Sequence, residues 1–363
     1  MLAREVISTG PLVLRPPADS DVEAITRACE DPVTARFLPL LPSPYRPADA
    51  RAYVERARAK WEGGGAVFAI TQDGQYAGSV GVRPPDRWGV TEIGYLVAPW
   101  ERGKGVATAA VRAVTDWLFD QGVRRVELQA EVENVASLRV AYKAGFREEG
   151  RRREARRLRD GRSADVVTFG RLPGEAVPPP EPYLPFFEGG QLSDGVVRLT
   201  PIAPGDAGDF HRMMADPVVA AYAVGPAASL ADDERRCRYT GYWWVSGQRI
   251  ELAVRDAASG AFAGHLQLAQ VLPALGQAMV GYSLVAEFRG RGFMTRAVRL
   301  LVDWAFANTA LHRIVAGTDP GNVASHRVLE RSGFTREGVH RELFPKAGGG
   351  RADDLGWARL RPS

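Results

Sequence analysis

Cysteine is nearly absent from this chain: Cys29 and Cys237 are the only two in 363 residues, and they lie in different halves. Two thiols cannot build a disulfide framework or a four-ligand zinc site, and the five histidines are scattered without metal-ligand spacing. No metal is expected. There is no run of about 18 uncharged apolar residues either, so no membrane span and no membrane partner are expected. The opening stretch, MLAREVISTGPLVLRP, lacks the long apolar core of a secretory signal, and a cytoplasmic location is the expectation. Lysine is confined to Lys60, Lys104, Lys143 and Lys346, so the net charge of +4 rests on arginine. Arginine beside abundant alanine and glycine is a weak sign of nucleic-acid binding and fits an anionic small ligand equally well. With 45% apolar and 25% charged residues, the composition is that of a globular protein, and the length suits two domains.

The chain repeats itself. Glu30-Asp31-Pro32-Val33 returns as Ala215-Asp216-Pro217-Val218, an offset of 185. Ile93–Val97 returns as Val280–Leu284, and Arg102-Gly103-Lys104-Gly105 as Arg289-Gly290-Arg291-Gly292, both at 187. Asn134-Val-Ala-Ser137 returns as Asn322-Val-Ala-Ser325, and Gly145-Phe146 as Gly333-Phe334, both at 188. Landmarks in one order at a nearly constant offset mark a duplicated domain. The copies are expected at 1–172 and 191–363, joined by a proline-rich, semi-rigid linker over 173–190, with Phe186 and Phe187 placed to dock it.

Within the first copy the hydrophobic period alternates between two and 3.6. Strands are predicted at Leu12–Arg15, Ala66–Thr71, Gln75–Val82, Gly89–Val97 and Val126–Val132, with closing strands around Phe146 and over Val166–Phe169. Helices are predicted at Asp19–Glu30 (capped by Asp19 or Ser20), Pro47–Glu62, Gly105–Asp120 and Ala136–Lys143. The second copy gives the same order. Helices interleaved with strands imply an α/β or α+β layered fold with a mixed sheet.

The informative corner is the passage from strand to helix through Arg102-Gly103-Lys104-Gly105-Val106-Ala107. Glycines let the backbone turn its N–H groups toward a ligand, and the helix that follows adds unpaired N–H groups and the positive end of its dipole. Such a corner suits a phosphate or pyrophosphate. A plain strand-to-helix turn with solvated Arg and Lys is the competing reading, but the corner occurs twice with the same flanks. Neither a dinucleotide-binding Gly-x-Gly-x-x-Gly nor a P-loop is present.

These motifs resemble the GNAT superfamily of N-acetyltransferases, and their RimJ/RimL branch in particular. The family's pyrophosphate loop reads Gln/Arg-x-x-Gly-x-Gly/Ala, matched by Arg102-x-x-Gly105-x-Ala107 and, with a departure at its last position, by Arg289-x-x-Gly292-x-Met294. The resemblance implies two tandem domains, each a mixed, mostly antiparallel sheet flanked by helices. It implies acetyl-CoA, or another acyl-CoA, as co-substrate without a metal. Pyrophosphate would sit on the backbone of Gly103, Lys104, Gly105, Val106 and Ala107, and in the second copy on Gly290, Arg291, Gly292, Phe293 and Met294. Pantetheine would lie along Tyr95, Leu96 and Val97, or along Tyr282, Ser283 and Leu284, where the strand splays from its neighbour. Asn134 and Asn322 complete the cofactor set.

Transfer to an amine needs a proton for the leaving thiolate. The tyrosine that many family members place seven after the Asn is replaced by Ala141 and Leu329, and Tyr142 is one residue off. The resemblance implies Ser137 and Ser325 instead, although each fits a helix-start residue equally well. Glu92 is the candidate base, with Met279 at its counterpart; Glu131 and Asp319 are alternatives. His265 and His340, found only in the second copy, read as structural, and Tyr239, Tyr242, Trp243 and Trp244 as core. The arginine run Arg147–Arg162 reads as a solvated hairpin bordering the acceptor groove, able to guide an acidic peptide, a carrier protein or RNA. The expectation is a monomeric or homodimeric acetyl-CoA-dependent N-acetyltransferase. Its acceptor amine belongs to a protein N-terminus, an antibiotic or a metabolite. The rivals are an acyl-CoA-binding protein with one or both domains non-catalytic, and an aminoacyl or acyl transferase with a tRNA or carrier-protein donor.

Overall fold

The chain turns back on itself at Gly10, so β1 (Ile7–Thr9) pairs antiparallel with β2 (Leu12–Arg15). The computed structural model describes residues 2–176, 183–223, 225–345 and 349–362; residues 177–182 of the expected linker lie outside them. After β2 a 3-10 turn at Asp19–Asp21 leads into α1 (Val22–Glu30). Neither Asp19 nor Ser20 caps this helix. Asp21 sits at its start and instead accepts the Ala18 N–H at 2.8 Å and pairs with Arg15 at 2.7 Å. The next helix, α2 (Pro32–Phe37), is absent from the sequence expectation because six residues cannot display a 3.6-residue period. Asp31 caps it through the Thr34 N–H at 2.8 Å, and Pro32 fills its first position.

The first unit continues through α3 (Pro47–Glu62), β3 (Ala66–Gln72), β4 (Gln75–Val82), β5 (Val90–Val97) and α4 (Val106–Asp120). It closes with β6 (Arg125–Glu131), α5 (Val135–Lys143), β7 (Arg147–Arg157) and β8 (Ser163–Arg171). The second unit repeats the order: β9 (Leu192–Ser193), β10 (Val197–Pro201), α6 (Ala207–Ala215), α7 (Pro217–Ala220), α8 (Leu230–Val245), β11 (Ile250–Asp256) and β12 (Phe262–Leu272). Then come β13 (Gln277–Leu284), α9 (Phe293–Asn308), β14 (Arg313–Thr318), α10 (Val323–Arg331), β15 (Thr335–Pro345) and β16 (Arg351–Leu360). Contacts divide the chain into Met1–Pro180 and Glu181–Ser363. Each unit holds one eight-stranded sheet, ordered β1-β2-β3-β4-β5-β6-β8-β7 and, from its other edge, β15-β16-β14-β13-β12-β11-β10-β9. Within the described residues only β5–β6 and β13–β14 pair in parallel.

Helices cover both faces of each sheet, which is why β3 is buried at six consecutive positions rather than at alternate ones. On one face Phe68 meets Trp61 and Trp117 edge to face, at 5.1 and 5.3 Å. On the other, α1 and α3 pack Ile25, Ala28, Ala50 and Val54 toward Ala69, Tyr76 and Ala98. In the second unit Trp244 is buried, stacks on Phe186 at 4.8 Å and donates from Nε1 to the Leu184 carbonyl at 3.1 Å. Tyr239 and Tyr242 are buried with it, whereas Trp243 is partly exposed beneath the Arg249 guanidinium. Burial pushes the Cys29 thiol up to about 11 and Cys237 to about 12, so neither is a thiolate at neutral pH.

One expectation is corrected outright. The arginine run is not a hairpin between strands: Arg147–Arg157 is β7 itself, at the sheet edge, and the turn to β8 begins only after it. Bulges between Glu148 and Gly150 and between Arg152 and Arg156 break its register on β8, so the alternation that would have betrayed a strand is lost. No helix among the described residues is long and apolar enough to cross a membrane.

Candidate active site

In each unit two neighbouring strands part company. β5 pairs with β6 only at Val90, Thr91 and Glu92, so the edge from Ile93 to Val97 has no partner on that side while it stays paired with β4 on the other. β13 does the same: it pairs with β14 only at Gln277, Ala278 and Met279, leaving Val280 to Leu284 without a strand partner on that edge, with the Leu284 carbonyl taken by Arg289 Nε–H at 3.2 Å. The expected pantetheine residues Tyr95, Leu96 and Val97, with Tyr282, Ser283 and Leu284, all lie on these free edges. An unpaired strand edge presents backbone donors and acceptors to an extended ligand.

Each free edge leads into its glycine loop. Gly103 and Gly105 have φ of 77° and 82°, and Gly290 and Gly292 have 73° and 78°, the left-handed region that favours glycine. The space where their side chains would stand is open. Gly105 and Gly292 occupy the cap positions of α4 and α9 and supply no side-chain cap to the first-turn N–H groups. Side chains contribute little here. Lys104 is paired with Glu101 at 3.2 Å, and Arg291 packs over Phe288 and Phe293. Val106, Phe293 and Met294 are buried, so Met294 fills core and does not intrude on the loop; Ala107 is partly exposed.

Across the wedge, the Tyr95 hydroxyl meets Ser137 Oγ at 2.7 Å, and Tyr282 meets Ser325 Oγ at 2.8 Å. The helix cap belongs to neither serine. Asn134 accepts the Ser137 N–H and Asn322 the Ser325 N–H, both at 3.1 Å, so each Asn side-chain oxygen is committed to its helix. Burial pushes both tyrosines up, only partly offset by the serine hydrogen bond, and both stay protonated at neutral pH.

The carboxylates separate. Glu92 accepts from Gln129 Nε2 at 3.1 Å and lies 3.5 Å from Arg83. Being three residues from Tyr95 on one strand, it stands on the opposite face, and no hydrogen bond joins it to Ser137. Glu131 is buried and held by Arg36 at 2.9 Å and Arg156 at 3.8 Å, whereas its counterpart Asp319 merely accepts the Gly321 N–H at 2.7 Å. His265 is buried with Glu251, Nε2 to Oε2 at 2.7 Å, with Arg236 and Arg249 also on that carboxylate. Burial alone would raise Glu251, but His265 and the two arginines hold it down to about 2. His340 is exposed and pairs with Asp354 at 2.9 Å.

The family described as "Acetyltransferase (GNAT) domain" matches this chain twice, over residues 11–147 and 197–335. The chain belongs to the GNAT acetyltransferase family. It is similar to the "Probable N-acetyltransferase YjcK" of Bacillus subtilis, 46% identical over 121 residues, which is 29% of this chain and 67% of that protein. It is also similar to the "Uncharacterized N-acetyltransferase p20" of Bacillus licheniformis, 38% identical over 74 residues, 20% of this chain and 41% of that one. Against that second relative the match thus spans less than half its length. Among solved structures, the ribosomal-protein-S5-alanine acetyltransferase of Vibrio fischeri is 22% identical with a TM-score of 0.44, over 48% of this chain and 97% of that one.

For this acetyltransferase, sequence reasoning found the loops, the strand edges and both serines. It missed three features. The short helices α2 and α7 give too little periodicity to read. The tyrosine partners of the serines, Tyr95 and Tyr282, were expected along the pantetheine strand but carried no hint of a hydroxyl role. The buried Glu251–His265 pair joins residues on neighbouring strands, which spacing along the chain does not reveal.

Proposed function

We propose that the chain is an acetyl-CoA-dependent N-acetyltransferase that transfers the acetyl group to a primary amine. The observation that carries this reading is the free strand edge running into an uncapped glycine loop, present in both units with the same Tyr–Ser pair opposite. Backbone N–H groups of 103–107 and 290–294 receive the pyrophosphate, and the free edge of β5 or β13 pairs with pantetheine. A backbone N–H on that edge polarises the thioester carbonyl. The amine nitrogen attacks the carbonyl carbon, a C–N bond forms and the C–S bond breaks. Ser137 Oγ, held by the Tyr95 hydroxyl, gives its proton to the departing thiolate and regains one from solvent, while Tyr95 stays protonated. Glu92, directly or through water, takes the proton shed by the amine. In the second unit Tyr282 and Ser325 supply the donor side, with Met279 unable to accept a proton, so we assign most of the turnover to the first unit. The domain limits we assign are 1–172 and 191–363, joined by 173–190, of which Leu184 and Phe187 belong to the second core. The acceptor amine is that of a protein N-terminus, an antibiotic or a metabolite.

Calorimetry with acetyl-CoA tests the reading, with up to two sites per chain expected; no binding at millimolar ligand overturns it. Thiol release against a panel of amines then identifies the acceptor class.

A further inference from the structure

One pair of residues recurs beside both loops. Arg102 donates from one terminal nitrogen to Asp31 Oδ2 at 2.6 Å and to Thr34 Oγ1 at 2.8 Å. Arg289 lies 2.9 Å from Asp216 Oδ1, while its Nε–H donates to the Leu284 carbonyl at 3.2 Å. Each aspartate also caps the short helix that follows it. Asp31 accepts the Thr34 N–H and Asp216 the Val218 N–H, both at 2.8 Å. A single carboxylate therefore ties a glycine loop to the first turn of α2 or α7.

The far end of α2 is tied as well. Arg36 donates to Glu131 at 2.9 Å and to Glu133 at 3.2 Å, at the end of β6 and just before Asn134. α2 thus runs from the loop after β5 to the end of β6, across the wedge where those strands part. In the second unit Tyr222, just past α7, donates to the Gly321 carbonyl at 3.3 Å, the corresponding place after β14. Two charged contacts hold the far end of the first crossing and one neutral contact the far end of the second.

Charge makes the arrangement informative. Asp31 is held below the usual carboxylate range: burial pushes it up, but Arg102 and the Thr34 N–H outweigh that. Asp216 is lowered chiefly by Arg289. A carboxylate beside an anion-binding loop repels the anion through space. Its presence in both units points to a gain in loop geometry larger than that repulsion.

We propose that Asp31 and Asp216 are positioning residues for acyl-CoA binding, each fixing the arginine of its glycine loop and the short helix strapped across the wedge. The inference rests on the reading of the loops as acyl-CoA sites. Arg102 and Arg289 are then brackets of the loop, and the anion's donors are backbone N–H groups.

The test is acetyl-CoA binding and steady-state kinetics on the full chain carrying Asp31→Asn and Asp216→Asn together. Asparagine caps a helix as well as aspartate does but loses the charge that holds the arginine. The acetyl-CoA Kd and KM should rise roughly tenfold, the loss of a hydrogen bond to a charged group, with kcat at saturating acetyl-CoA unchanged. Coulomb's law alone predicts the opposite sign, because two negative charges leave the neighbourhood of the anion. Unchanged or tighter binding overturns the proposal. With Arg102→Gln and Arg289→Gln already in place, the aspartate changes should add nothing, and a further tenfold loss would refute the bracket. Should the double Asn variant fail to fold, Thr34→Val removes an Arg102 acceptor without a charge change, and unaltered first-site affinity in that variant is equally fatal. A parent chain that binds no acetyl-CoA overturns the loop reading along with this one, whereas a binding parent with unaffected variants overturns this one alone.

Discussion

On β5 the first unit sets Glu92 against Gln129 and Arg83, whereas at the same place on β13 the second unit has Met279, paired in register with Val315. One strand further in, the first unit pairs Ser79 with Leu96; the second pairs His265 with Ser283 and anchors that histidine on buried Glu251. Yet the free edges, the left-handed glycines and the Tyr–Ser contacts recur feature by feature. The backbone part of the site and the Tyr–Ser pair survived duplication intact, and the carboxylate at Glu92 did not. Backbone geometry depends on a few glycines and on sheet pairing, so it tolerates drift all around it. A proton acceptor is one side chain, and one substitution removes it.

The comparison breaks or stands most sharply on the loops. Gly105→Glu and Gly292→Glu each put a negative charge and a strained left-handed residue at the anion corner, so each should abolish acetyl-CoA binding in its own unit. Calorimetry should then show one site instead of two, with a native circular-dichroism spectrum. Turnover should fall far more for Gly105→Glu. A larger loss from Gly292→Glu would reverse the division of labour, and equal partial losses would mean that both units work.

Ser137→Ala comes next. Because Asn134 carries the cap, this change leaves the helix start intact and removes only the hydroxyl. We expect kcat to drop roughly a hundredfold with acetyl-CoA affinity unchanged, and Ser325→Ala to cost the whole chain much less. An unaltered kcat for Ser137→Ala would return the serine to a structural role. For Glu92→Gln the expected loss in kcat is about tenfold at neutral pH, shrinking as pH rises and more of the amine arrives unprotonated. A pH–rate profile parallel to that of the parent would remove Glu92 from the chemistry.

The smallest effect concerns stability. The folded-state pKa of Glu251 is depressed from 4.5 to about 2, so its contribution is present above pH 4.5 and is lost as pH falls toward 2. Hydrogen exchange in β11 and β12 should accelerate over that window more than in β3 and β4, where Val67 and Ser79 stand in corresponding places. Glu251→Gln should flatten the difference; a persisting acid-induced loosening would shift the cause to another carboxylate.

Much of this was legible along the chain, because the relevant signals are local. The loop is a run of six residues with two glycines and a helix behind it, and duplication made it stand out from an ordinary turn. Serine at the third helical position was legible as a residue but not as a role. The sequence allowed cap or proton donor equally, and only the Asn134 contact assigns the cap elsewhere. Glu131 and Asp319 align perfectly in the repeat, yet one is buried beneath arginines and the other turns to a loop N–H.

The sequence by itself determined the duplication, the order of the longer helices and most strands and the position of the glycine loops, since each follows from spacing, period or glycine content within a short window. Tertiary structure alone decided where β5 leaves β6, which hydroxyls meet across the gap, and which carboxylates are committed to arginines. Those depend on residues up to a hundred positions apart, such as Arg36 and Glu131, meeting at distances that only the packed sheet and helices set.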